Sequence, residues 1–173
     1  MRRTTTFLVT LLMSFAILAG TATAFGGGDG AAFGEGHFLY QGFLDVRFNF
    51  AAVSLPDGGA AGGFTQTYTL NGLTTMYTGR VTCVAFDEVN HRAWVGGVLT
   101  SVHSDDPSET HVAGDDAWFR VVDYGRDGAT ADRSTVYGFA GAIPSSAEYC
   151  RLKIWAPGDA RTWPVIDGKI TVR

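Results

Sequence analysis

The sequence lacks the short motifs that mark well-known chemistries. It has no G-x-S-x-G elbow, no H-E-x-x-H pair and no phosphate-binding glycine loop opening a helix. Cysteine is limited to Cys83 and Cys150, so there are no Cys/His pairs at zinc spacing and no C-x-x-C redox pair. Lysine is scarce as well: Lys153 and Lys169 are the only two in 173 residues. With 13 basic and 17 acidic residues the net charge is −4, which argues against nucleic acid and anionic membranes as partners. Beyond the first two dozen residues no apolar run approaches the ~20 residues of a spanning helix.

The apolar run that does exist lies at the start, "MRRTTTFLVTLLMSFAILAGTATA". Arg2 and Arg3 form a positive n-region, residues 7–18 an apolar core, and Ala22-Thr23-Ala24 a small-residue cleavage site. This tripartite pattern is that of a secretory signal peptide over residues 1–24, cut near Ala24. Thr4, Thr5 and Thr6 after the arginine pair favour general secretion over the twin-arginine route. The expected product is soluble and exported, to the periplasm or the cell exterior. Cleavage leaves 149 residues, enough for one domain, with eleven basic against seventeen acidic residues. In an oxidising compartment the lone cysteine pair is expected to form a Cys83–Cys150 disulfide.

What is abundant is glycine, 23 residues, and aromatic side chains. "FGGGDGAAFGEG" (residues 25–36) reads as a flexible lead into a domain spanning residues 37–173. Inside that domain the hydrophobic period is two: Val46, Phe48 and Phe50 alternate with Asp45, Arg47 and Asn49. Further strands are read at "FTQTYTL", "GRVTCVAFD", "HRAWVGGVLTSVH", "AWFRVVDY", "STVYGFAG", "CRLKIW" and "GKITVR". The Gly96-Gly97 pair predicts a bulge or bend, and Ser145 with Glu148 forms a capping box for one helical turn. About eight strands joined by short turns predict a mainly β domain, a single antiparallel barrel, with a two-sheet sandwich as the alternative.

The candidate sites are few. "FRVVDYGRDGATADRS" places Asp123, Asp127 and Asp132 around two glycines, where they could converge on calcium. As an EF-hand it fails, because Gly125 and Ser134 stand where ligands belong; a sharp turn between strands is the stronger reading. His103 and His111 flank an acidic loop that reads as solvated before it reads as a metal site. Phe48, Phe86, Trp94 and Phe119 would line an apolar cavity if the barrel were hollow.

"GRVTCVAF", "AWVGGVLT", "WFRVVDYGRDG" with a later aspartate, and "GKITV" together resemble a pattern of exported bacterial β-domains called post-COAP-like. In that pattern an F-x-V-x-D-N-G-x-x-G…D turn is followed by a closing G-x-I-x-V strand; here Tyr124 stands in place of the asparagine. The likeness covers most of residues 43–173. It implies a secreted β-rich domain and no catalytic residue. The expectation is a non-catalytic extracellular module that binds a partner, a surface or a small ligand. The alternatives are a carrier with an apolar barrel cavity and, behind it, a barrel enzyme.

Overall fold

The computed structural model describes residues 30–125 and 129–173. The segment read as a signal peptide, the start of the glycine-rich lead and Asp127 lie outside the described residues. Five long strands come first: β1 (Ala31–Tyr40), β2 (Leu44–Ser54), β3 (Ala60–Leu70), β4 (Leu73–Asp87) and β5 (Arg92–Ser104). After a long loop follow β6 (Asp116–Val122) and two-residue bridges β7 (Arg133–Ser134) and β8 (Gly138–Phe139). Helix α1 (Ser146–Leu152), a 3-10 turn, β9 (Trp163–Pro164) and β10 (Asp167–Val172) complete the chain.

All pairings are antiparallel, in the order β10-β1-β2-β3-β4-β5-β6-β7-β9, with β8 added beside β6. One sheet therefore curls on itself, as expected for a barrel, with a seam where β10 returns towards β6 and β7. Bulges help it curl. Val81 pairs with Gly97 and Cys83 with Gly96, so Thr82 is an extra residue opposite the double glycine. The predicted irregularity is present, with the extra residue on the partner strand.

The inward faces form the core. Phe119, 2% exposed, meets Phe50 at 5.1 Å, Phe64 at 5.9 Å and Tyr137 at 5.3 Å between ring centroids. Edge-on and tilted rings at such distances fill the barrel centre with apolar area. Gln66 is a fully buried polar side chain beside them. Its amide donates to Thr135 O at 3.1 Å, and its carbonyl accepts from Tyr137 N at 2.8 Å and from the Tyr68 hydroxyl. The irregular segment after β7 has no long ladder of its own, so these side-chain bonds satisfy its backbone.

Two expectations are corrected. Residues 31–36 are not a flexible lead; they belong to β1 and pair on both sides, with β2 and β10. The glycines there serve close approach: a Cβ on Gly36 would lie 2.6 Å from Asp167 O. "CRLKIW" is not a strand either. The capping box works as read, with Ser145 Oγ accepting from Glu148 N at 3.2 Å, but the helix it starts runs on through Cys150 to Leu152. It ends only at Lys153, in the left-handed conformation (φ 46°).

Candidate functional site

The turn after β6 is held by its own carboxylates. Asp123 Oδ1 accepts from Gly125 N at 2.7 Å, and its Oδ2 reaches across the seam to Val172 N at 3.1 Å. Asp132 Oδ1 accepts from Tyr124 N at 2.9 Å, and its Oδ2 from Ile170 N at 2.8 Å. The free edge of β10 would otherwise present unpaired N–H groups. Here two side chains take the place of a neighbouring strand's carbonyls. Four N–H groups point at four carboxylate oxygens, which suits hydrogen bonding and leaves these lone pairs committed. Among the described residues no group of three or more His, Cys, Asp or Glu is placed to hold a metal.

The acidic loop between β5 and β6 is more than a solvated loop. Glu109 accepts from the Tyr77 hydroxyl, from His111 N at 2.7 Å and lies 2.7 Å from His111 Nδ1. His111 stacks on Phe139 with ring centroids 3.7 Å apart. Burial would raise the Glu109 carboxyl, but the bonds from Tyr77 and His111 outweigh it and hold it below its usual value. Burial first, and Glu109 second, push the Tyr77 hydroxyl well above its ordinary value. The loop is thereby pinned over one end of the barrel. Histidine and glutamate two residues apart were visible in the sequence, but their partners on β4 and β8 were not.

The four proposed cavity residues do not share one cavity. Phe48 and Phe119 are packed in the barrel core, and Phe86 is partly buried against it. Trp94 faces the other way, since strand alternation sends Ala93 and Val95 inward. It packs with Trp118 and Tyr149 beneath α1, and its Nε1 donates to Ile154 O at 2.9 Å.

That outer layer shapes a cleft. Helix α1 is fastened to the sheet by the Cys83–Cys150 disulfide and by Asp116, which accepts from Ser146 N at 3.1 Å. Tyr149 stacks on Trp118 (5.6 Å, 23°). Burial pushes the Tyr149 hydroxyl up to about 12, with Arg120 acting in the opposite sense. The segment after α1 folds back over β6. Trp155 lies against the guanidinium groups of Arg92 (4.4 Å) and Arg120 (5.3 Å), and its Nε1 donates to Asp159 at 2.7 Å. Arg133 ties the end of this segment down through Thr162, at 2.8 and 2.6 Å.

Between this layer, the β1–β2 turn and the segment after β7 an open cleft of about 490 Å³ remains. Tyr40 and Trp163, with ring centroids 4.5 Å apart, form one side; Trp118 and Tyr149 contribute another. Arg120 and Arg161 supply its charge, and Thr135 and Gln41 are further polar residues in its walls. A larger depression of about 750 Å³ lies on the outer face of β1–β4 and β10. Small residues such as Ala51, Gly63 and Gly79 floor it, and Glu35 and Lys169 offset each other. None of the buried polar atoms without a partner belongs to its lining.

Fold and site together define a disulfide-linked antiparallel β-domain with an aromatic, arginine-bearing cleft outside its core. No family model, curated protein or solved structure matches the chain.

Proposed function

We propose that this chain is an exported, non-catalytic binding domain, resembling the post-COAP-like domains, that takes its ligand in the cleft outside β6. The observation that carries this reading is the contrast between the two sides of β6. Inward, Phe119 is closed in by rings. Outward, Trp118 and Arg120 border open space beside Trp163 and Tyr40. Concave surface with aromatic faces and a few polar anchors is the general form of a small-ligand site. The cleft walls are also rigidly supported, by a disulfide, an Asp116–Ser146 clasp and the Arg133–Thr162 bonds. A disulfide fits export to an oxidising compartment, and among the described residues no helix is long and apolar enough to cross a membrane.

Two measurements test the proposal. Mass spectrometry of the secreted form is expected to find Phe25 at the N-terminus; a chain that retains residues 1–24 overturns the export reading. NMR titration with a panel of monosaccharides, uronates and aromatic acids is expected to move resonances of Trp118, Trp163 and Tyr40. Shifts confined to Phe50, Phe64 and Phe119 would instead support a carrier with an interior cavity, and an unresponsive cleft would remove it as the site.

A further inference from the structure

Within the binding reading just proposed, on which this inference rests, we infer that the cleft takes a small organic carboxylate, a ring compound with one carboxylate group. The central observation is Arg120. Its side chain stands on the outer face of β6, is 8% exposed, and lines the cleft. Buried guanidinium groups are normally matched by a carboxylate, because a desolvated charge is costly without a counterion. Arg120 has none: it takes part in none of the ion pairs among the described residues. One terminal nitrogen donates to Ala160 O at 3.2 Å, and a further contact goes to Tyr149. Its Nε is buried with no hydrogen-bond partner at all.

A second cation stands at the same cleft. Arg161 is exposed and has no hydrogen bond or ion pair among the described residues. It is held in the left-handed backbone region (φ 65°), an uncommon conformation for a residue with a side chain. No aspartate or glutamate lines the cleft. In a chain of net charge −4, two arginines facing one concavity without an acid is a local reversal of sign. The guanidinium fork offers parallel N–H donors at the spacing of a carboxylate's two oxygens, and Arg120 lines the cleft with its Nε unmatched by any protein acceptor. The faces of Trp163 and Tyr40 then suit the ring that bears the carboxylate, whether a sugar or an aromatic one.

The test compares matched pairs by isothermal titration calorimetry on the full mature chain: D-glucuronate against D-glucose, and benzoate against benzamide. At least one acid is expected to bind ten-fold or more tightly than its neutral counterpart, and which acid does so separates a sugar source from an aromatic one. Arg161→Gln, at an exposed position, should weaken that acid several-fold and the neutral compound distinctly less. Arg120→Lys keeps the charge but loses the fork, and should weaken the acid ten-fold or more in a protein whose melting curve shows it folded. Equal affinity for acid and neutral partner overturns the carboxylate inference while the cleft stands as a binding site. Tighter binding of inorganic phosphate than of either acid also overturns it. Failure of all four compounds to bind, with no resonance of the cleft moving, overturns both readings.

Discussion

Asp132→Ala is expected to cost about 3 kcal/mol of folding stability, from the loss of two hydrogen bonds to an ionised acceptor in a partly buried setting. The substitution leaves Tyr124 N and Ile170 N without acceptors on both sides of the seam. For a domain of this size the melting temperature should fall by roughly 10 °C. Asp132→Asn keeps one acceptor and replaces the other with a donor that faces an N–H, so an intermediate loss is expected. Hydrogen exchange should show the amides of β10 opening first, because β10 then keeps its β1 ladder and, at the seam, only the Asp123 bond to Val172 N. A loss under 1 kcal/mol, with β10 still protected, would show that the seam is closed by other means. Calcium is expected to leave the melting temperature of the unsubstituted protein unchanged, since all four oxygens of Asp123 and Asp132 already receive N–H groups. A rise of several degrees that Asp123→Asn abolishes would return the turn to a metal-binding role.

The second large effect concerns the disulfide. Cys83 and Cys150 are 67 residues apart in sequence, and a link over that span removes about 4 kcal/mol of unfolded-chain entropy in the loop-closure model. The double variant Cys83→Ser, Cys150→Ser should lose about that much in urea unfolding. The loss is expected to be felt first in the outer layer. Without the bridge α1 is held by Asp116 and by the stacking of Tyr149 on Trp118, and those contacts form a wall of the cleft. Binding in the cleft should therefore weaken at urea concentrations where the sheet persists. Coincident loss of the helix signal and of the sheet signal, at an unchanged midpoint, would contradict both the magnitude and the order.

The two aspartates also link short motifs that lie far apart in the sequence. An aspartate at the end of a strand, another after the turn, and a closing G-x-I-x-V strand look like separate short motifs. In the fold they meet: Asp132 accepts from the Ile170 N–H and Asp123 from that of Val172. The two N–H groups they take, Ile170 and Val172, lie two residues apart and so on one edge of β10. Tyr124 directs its hydroxyl to Asp159 and so couples the turn to the segment that covers β6.

Several features were legible because they are local or pairwise. Period-two alternation at Val46, Phe48 and Phe50 assigns β2 and its inward face, since successive side chains point to opposite sides of a strand. Ser145 and Glu148 mark a helix start because a cap acts over three residues. Two cysteines in one chain have only each other as disulfide partners. Other features required the tertiary structure. The glycines of residues 31–36 carry the same local signal whether free or threaded between two strands, and only the return of β10 decides that they are packed. The turn aspartates offer acceptors that sequence cannot fully assign, because two of their four donors lie 38 and 49 residues away on β10. Arg120 sits in an alternating strand like any outward polar residue; that it is buried, unpaired by any acid and facing a cleft follows from α1 and the segment after it folding across β6. By itself the sequence determined the β class, the capped helix start and the cysteine pairing. The tertiary structure alone decided which polar groups find partners, because desolvation and hydrogen-bond geometry depend on what the rest of the chain brings alongside.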